Sequence, residues 1–158
     1  MRRGILLAMM IYVDADACPY KDLIYRAAAR YRLPLTVVAN SGLRVPPEVT
    51  LVRVGNEPDA ADDWIAGRVA KGDLVLTADI PLAARALAAG ARCLDFRGGE
   101  FTSDRIGDAL ASRDLMRYLR DLGDPAALRG PSALTPRNRS RFVSILDATL
   151  NRIAREQA

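Results

Sequence analysis

Four aspartates at the boundaries of predicted elements are the residues most able to do chemistry. They are Asp14, Asp16, Asp62 and Asp79. Two carboxylates about 4 Å apart repel each other by about 4 kcal/mol at an effective dielectric of 20, so a cluster of them needs shared protons or a cation. Hard oxygen ligands without a neighbouring His or thiolate favour Mg²⁺ or Mn²⁺. Such ions can lower the pKa of a water, orient it for in-line attack on a phosphodiester and stabilise the departing oxygen.

The residues that the chain lacks exclude several other mechanisms. It contains no His, and its two cysteines, Cys18 and Cys93, are far apart in sequence. Zinc sites of the His/Cys type and Ser-His-Asp or Cys-His nucleophiles are therefore excluded. Reduced thiols are expected in a cytoplasmic protein, and we predict that location. The acids suit phosphoryl chemistry.

Each acid also has a structural explanation that competes with a role as a ligand. Asp59 is a candidate N-cap, with Asp62 able to complete a capping box. Asp16 could cap a helix that begins near Pro19, and Asp79 could cap the helix that follows it. Asp63 could lie on a solvated helix face. Taken together, so many acids at one predicted edge favour a functional cluster.

Alternating strand and helix patterns position these acids. The predicted strands are 10–13, 35–39, 49–54, 74–77 and 91–94, and the predicted helices are 19–31, 60–69, 81–89, 103–122 and 136–155. This alternation predicts a three-layer α/β/α fold with a mostly parallel central sheet, followed by C-terminal helices. In an open parallel sheet, ligands bind beyond the carboxyl ends of the strands. If the first strand runs through Asp14 and Asp16, both side chains share one face.

The length of 158 residues fits a single domain. We assign 10–158 to that domain, with 97–158 as a mainly helical C-terminal extension packed on it. Residues 1–9 are an N-terminal extension or precede an alternative start. No apolar stretch reaches the roughly 18 residues of a membrane span, so no membrane association is expected. No feature of the sequence specifies an oligomeric state.

The most one-sided charge lies near the C-terminus. The net charge is +4, and there is no acid between Asp124 and Asp147. The basic residues of that stretch are Arg129, Arg137, Arg139 and Arg141. Arg137, Arg139 and Arg141 could follow a nucleic-acid backbone, or they could be a solvated helix face. Thr135 is a predicted N-cap for the last helix, and Gly90 a predicted helix stop.

Five segments resemble the YaiI/YqxD family of uncharacterised bacterial proteins, and the resemblance extends from Met10 over nearly the whole chain. The segments are IYVDADACP (11–19), VVANSGLRVP (37–46), DAADDWIA (59–66), LVLTADIPLAARALAAGA (74–91) and RSRFVSILD (139–147). That family in turn resembles the PIN-like superfamily of metal-dependent ribonucleases and related nucleases. The resemblance implies a PIN-like fold, in which Asp14, Asp62 and Asp79 match acids that bind Mg²⁺ or Mn²⁺. The additional acid usual in PIN nucleases has no clear counterpart, and Asp16, Asp59, Asp63 and Asp95 are the alternatives.

The leading hypothesis is therefore a Mg²⁺- or Mn²⁺-dependent nuclease with RNA as the expected partner. Asp14, Asp62 and Asp79 would be catalytic and hold metal, with Asp16 and Asp63 as further metal-site acids. The expected phosphate-binding residues are Asn40, Ser41, Arg44, Arg137, Arg139 and Arg141. The stretch from Asn40 to Gly42 could equally be only a turn.

Two other functions stay open. The first is a non-catalytic nucleic-acid-binding or regulatory module. The second is a haloacid dehalogenase-like phosphatase, in which Asp14 would be the nucleophile and Asp16 the general acid. The phosphatase motif order places an acid pair after a Lys, whereas Asp62 and Asp63 precede Lys71. The nuclease is therefore ranked above the phosphatase.

Overall fold

A computed structural model describes residues 9–124 and 133–157. Residues 1–8, Arg129 and the predicted loop around 130–132 lie outside those ranges. The strands are β1 (Ile11–Asp14), β2 (Leu35–Ala39), β3 (Thr50–Arg53), β4 (Leu74–Leu76) and β5 (Arg92–Leu94). The α-helices are α1 (Lys21–Tyr31), α2 (Ala60–Ala66), α3 (Ile80–Ala88), α4 (Ser103–Asp121) and α5 (Pro136–Gln157).

The five strands form one parallel sheet in the order β3-β2-β1-β4-β5. The strands are short and rich in β-branched or other apolar residues, as expected for a parallel sheet covered by helices, although the edge strand β3 is only half-buried to exposed. All five residues of β2 are buried, and so are all three of β4. The predicted α/β class with a parallel sheet and C-terminal helices is confirmed.

Helices cover both faces of the sheet, which gives three layers. On one face, Ile11, Val13 and Val37 pack with α1 and α5. On the other face, Tyr12 and Val38 pack with α2, α3 and the first part of α4. Because side chains alternate along a strand, Asp14 lies on the same face as Tyr12, toward α2 and α3. The two C-terminal helices thus pack on opposite faces.

The last helix is anchored by a continuous apolar stripe. Its buried residues are Phe142, Leu146, Thr149, Leu150 and Ile153. These recur at the helical spacing of three and four residues. Phe142 stacks on Tyr20, with ring centroids 5.3 Å apart, and contacts Phe96 at 5.7 Å. The start of α5 is therefore fixed against the segments that follow β1 and β5.

Local signals at two helix ends are confirmed. The Thr135 hydroxyl accepts a hydrogen bond from the Asn138 amide at 3.1 Å, and the Asn138 side chain accepts one from the Thr135 amide at 2.9 Å. Gly90 has φ +89°, and the following amide of Ala91 bonds back to the Ala86 carbonyl at 3.0 Å. These bonds satisfy groups that helix termini leave unpaired.

Three local predictions are wrong. The chain turns into a 3₁₀ helix (Ala15–Ala17) after Asp14, so Asp14 and Asp16 do not continue one strand. Helix α1 begins at Lys21, and its N-cap residue Tyr20 makes no side-chain cap hydrogen bond, so neither Pro19 nor Asp16 starts that helix. The turn after β1 contains the residues that the helical pattern assigned to the start of the helix.

In the described ranges, no helix is both long and apolar enough to cross a membrane.

Candidate functional site

The strand order creates a switch point between β1 and β4. From β1 the chain proceeds to β2 and β3 on one side, and later to β4 and β5 on the other. The crevice at such a point, beyond the carboxyl ends of the strands, is where open α/β sheets bind ligands. Asp14 ends β1, and Thr77 and Asp79 directly follow β4. The predicted acids therefore come to this crevice from both of its strands.

Thr77 links the two sides of the crevice. It is fully buried, and its hydroxyl donates a hydrogen bond to the Asp14 carboxylate at 2.9 Å. The same oxygen accepts a hydrogen bond from the backbone amide of Asp79, also at 2.9 Å. A hydroxyl has one donor and two acceptor positions, so it can make both bonds at once. Thr77 thus orients Asp14 relative to the loop that carries Asp79.

Asp79 is the N-cap of α3. One of its carboxylate oxygens accepts a hydrogen bond from the Leu82 amide at 2.8 Å, and Pro81 lies in the first helical turn. The possibility that Asp79 caps this helix is therefore confirmed. A negative charge is favourable at a helix N-terminus, because the amide dipoles point toward it. The cap fixes one oxygen of the carboxylate.

Asp62, in the first turn of α2, completes the group. Burial, the charge of Asp79 and a hydrogen bond with Asp79 raise the pKa of Asp62 to about 7, with smaller contributions from Asp14 and Asp59. Burial also raises the pKa of Asp14; the Thr77 hydrogen bond opposes this, and the charges of Asp79 and Asp16 add to it. The charges that raise the pKa of Asp62 are those of three other aspartates, Asp79, Asp14 and Asp59. We call Asp14, Asp62 and Asp79 the acidic rim.

The other predicted acids lie around the rim in distinct roles. The Asp16 carboxylate is exposed and accepts hydrogen bonds from the backbone amide of Asn40 at 3.1 and 3.3 Å. These bonds join the segments after β1 and β2.

The exposed carboxylate of Asp63 forms an ion pair with Arg85 at 2.7 Å. The buried carboxylate of Asp95 accepts from the Arg97 and Gly99 amides and pairs with Arg105.

The predicted capping box at α2 is wrong. Asp59 occupies the N-cap position, but its side chain makes no cap hydrogen bond. Its backbone has φ 66°, in the left-handed region, whereas an N-cap side chain reaches the helix amides from an extended backbone. Asp62 is therefore not part of a capping box, and its carboxyl group lies near Asp79.

The predicted phosphate-binding residues lie on two separate segments. Asn40, Ser41 and Arg44 are exposed in the loop after β2. The three arginines of α5 are exposed in its first turns, at positions 137, 139 and 141. Of these, Arg139 borders a cleft with Tyr20 and Lys21, whereas Arg141 packs near Gly98.

The rim fits a divalent cation in its chemistry but is not closed around one. In the described ranges, no three Asp, Glu, Cys or His side chains are positioned to hold a metal ion together. The donors are nevertheless all hard oxygens, and the charges of Asp79 and Asp14 oppose the ionisation of Asp62. An ion would take the place of a proton on Asp62, and the carboxylates would have to rotate toward it.

Sequence reasoning missed the role of Thr77. The available signal was its position between the apolar run of β4 and Asp79. A hydroxyl at the end of a buried strand must find a hydrogen-bond partner, because burying an unpaired one costs about 1–3 kcal/mol.

We expect Thr77→Val to lower the free energy of unfolding by about 1–2 kcal/mol, since the Asp79 backbone amide and the Asp14 carboxylate each lose a hydrogen-bond partner. Urea unfolding would measure this, with Thr77→Ser, which keeps the hydroxyl, as the control; equal stability of the Val variant and the wild type would contradict the role.

The raised pKa of Asp62 predicts a pH-dependent stability. The folded protein holds this proton up to about pH 7, whereas the ordinary pKa is 3.8. Stability from this group is therefore complete below about pH 4 and is lost as the pH rises through 7. In metal-free buffer, Asp62→Asn should be more stable than the wild type at pH 8 by about 1 kcal/mol, after allowance for solvent screening. Urea unfolding at pH 5 and pH 8 checks this, and a difference that does not grow with pH would contradict it.

Taken together, the fold and the rim define an open α/β protein with an acidic site at the switch point of its sheet. The chain belongs to the family described as "Uncharacterized BCR, YaiI/YqxD family", which matches residues 12–152. This confirms the family resemblance inferred from the five segments.

Relatives are similar along most of their length. The UPF0178 protein of Rhodopseudomonas palustris (strain TIE-1) is 51% identical over 150 residues, covering 94% of each chain. The UPF0178 protein of Bradyrhizobium diazoefficiens is 50% identical, covering 93% of this chain and 88% of its own. That of Rhodospirillum centenum is 49% identical, covering 92% and 97%. No solved structure matches the chain.

Proposed function

We propose that this protein is a Mg²⁺- or Mn²⁺-dependent nuclease that hydrolyses phosphodiester bonds in RNA. The observation that carries the proposal is that Asp14, Asp62 and Asp79 come to the switch point from three different parts of the fold, where the charges of Asp79 and Asp14 raise the pKa of Asp62. Such a set is poorly suited to bind an anion directly and well suited to bind a cation that binds the anion. The resemblance to PIN-like nucleases supports the same three residues.

The chain's own groups divide the work. Asp14, Asp62 and Asp79 would hold the ion, which when bound supplies charge neutralisation and an acidified water for attack on phosphorus. Thr77 holds Asp14 in place through its hydroxyl. The Leu82 amide does the same for one oxygen of Asp79. With a pKa of about 7, Asp62 is only partly ionised at neutral pH, and it would have to be ionised to hold an ion, so activity should rise with pH around 7.

A non-catalytic binding module is the second candidate, and one observation favours it. Asp79 already caps α3 and Asp14 already bonds to Thr77, so the side chains have structural partners without a metal. In that case the rim acids would stabilise the loops after β1 and β4, and the protein would bind nucleic acid without cleaving it. The phosphatase gains less support, because Asp16, its required general acid, is bonded to the Asn40 amide.

A cleavage assay separates these functions. The purified protein is incubated with an end-labelled pool of single-stranded RNA in Mn²⁺, Mg²⁺ or EDTA, and with a generic phosphate monoester in parallel. The nuclease predicts RNA products with Mn²⁺ or Mg²⁺ and none with EDTA. RNA binding without cleavage at every metal concentration would establish the module instead, and metal-dependent phosphate release from the monoester alone would establish the phosphatase.

A further inference from the structure

A basic cleft opens at the carboxyl edge of the sheet, between the start of α1 and the first turns of α5, on the face opposite to α2 and α3. Its volume is about 490 Å³, within the usual range for ligand sites. Three cationic side chains line it, Lys21, Arg26 and Arg139, against one acid, Asp22. The cleft therefore has the opposite charge to the rim.

The walls of this cleft are fixed by packing. The Lys21 ammonium group donates a hydrogen bond to the Cys18 carbonyl at 2.8 Å, which holds its stem against the turn after β1. On the other side, Phe142 is fully buried and stacks on Tyr20 at 5.3 Å, which anchors the segment of α5 that carries Arg139. Cations held on anchored backbone lose less freedom on binding an anion than mobile ones do.

The turn after β1 connects the rim to the cleft. The cleft begins at Cys18, directly after the 3₁₀ helix that contains Asp16. Asp14 ends β1 and Cys18 follows it by four residues, so the rim and the cleft both lie at the carboxyl edge of the sheet.

A rim of carboxylates needs such a neighbour if its substrate is a polyanion. Even with one divalent ion bound, three carboxylates leave the rim without excess positive charge, so the rim alone gives a nucleic acid little affinity. Binding of nucleic acids comes mainly from cationic side chains that neutralise backbone phosphates. Lys21, Arg26 and Arg139 line one cleft together, and none of the three rim acids lines it.

We infer that the cleft lined by Lys21, Arg26 and Arg139 binds backbone phosphates of single-stranded RNA next to the bond that lies at the acidic rim. This rests on the proposed function for the cleavage step, but the binding itself needs no metal. The expected substrate is therefore an RNA strand long enough to reach from the scissile bond at the rim to the cleft. Fragments too short to reach the cleft should be cleaved with a raised KM.

Binding in EDTA tests the inference separately from catalysis. The probe is a fluorescently labelled single-stranded oligouridylate, whose anisotropy is followed from 50 to 200 mM salt. The variants are Lys21→Gln, Arg26→Gln and Arg139→Gln, singly and combined. The control is Arg152→Gln, an exposed arginine on the same helix about 20 Å beyond Arg139.

Each single change should weaken binding several-fold and reduce the slope of log affinity against log salt by about 0.7 for each phosphate that is no longer neutralised. The Arg152 variant should match the wild type. Circular dichroism and the thermal midpoint confirm that each variant is folded. Unchanged RNA binding in the combined variant would overturn the inference, and so would an equal loss of RNA binding in the Arg152 variant. If the wild type bound polyglutamate as tightly as RNA, the inference would also fail, because the cleft would then fit an acidic protein partner.

The inference and the proposed function fail in different ways. If the cleft variants lose RNA binding but neither the wild type nor any variant cleaves RNA with any metal, the cleft inference is supported and the nuclease proposal is refuted. If Mn²⁺-dependent cleavage occurs with an unchanged KM in the combined variant, the nuclease stands and the cleft does not.

Discussion

Asp14→Asn and Asp79→Asn should each reduce Mn²⁺-dependent RNA cleavage by at least about 100-fold. Loss of groups that merely support metal ligands already costs 10- to 100-fold in many metal sites, so loss of a ligand should cost at least as much. Each variant removes one negative charge from the rim and keeps nearly the same side-chain shape. The expected loss is in kcat/KM measured on single-stranded RNA, and raising the Mn²⁺ concentration should recover part of it.

A structural effect of these changes must be kept apart from a catalytic one. Asn at position 79 can still accept the hydrogen bond from the Leu82 amide, and Asn at position 14 can still accept from Thr77. Both variants should therefore remain folded. Asp108→Asn, an exposed acid on α4, serves as the charge-matched control and should keep full activity. Activity in the Asp14 and Asp79 variants equal to that of the control would contradict the assignment of the rim.

Phe142→Ala should lower the free energy of unfolding by about 3–5 kcal/mol, the usual cost of truncating a buried Phe. The ring has no exposed surface and contacts both Tyr20 and Phe96. Its loss leaves a cavity where α5 meets the segments after β1 and β5. Urea unfolding checks the value.

The matched control is the next residue on the same helix. Val143 is 38% exposed, so Val143→Ala should change stability much less. If the Phe142 variant were destabilised by less than about 1 kcal/mol, α5 would not be anchored as described. The basic cleft would then lack one of its fixed walls.

The sheet was predictable because its strands are short apolar runs that turn signals and helical patterns interrupt. The predicted bounds of β2 are those observed, and all five of its residues are buried. The helix that follows β4 was marked by Asp79 and Pro81 at its start and by Gly90 just after its end. Patterns of this kind act over a few neighbouring residues, so the sequence displays them directly.

Side-chain roles that depend on distant contacts were not predictable in the same way. Thr77 binds Asp14 across 63 positions of the chain. Asp63 pairs with Arg85 from a neighbouring helix, and Asp16 turns toward the Asn40 amide because the strand ends at Asp14. The basic cleft requires α5 to pack beside α1, which no local pattern specifies. The prediction that acids would gather at the carboxyl edge rested on topology, and the further step to a metal site stays a prediction.

The central claim is that Asp14, Asp62 and Asp79 together bind a divalent cation. Anomalous diffraction from crystals grown or soaked in Mn²⁺ at pH 8, where Asp62 has released its proton, tests this most directly. We expect an anomalous peak among these three carboxylates, with Asp62 turned from Asp79 toward the ion. Well-ordered density for the three side chains in their present hydrogen bonds, with no peak between them at millimolar Mn²⁺, would contradict the claim.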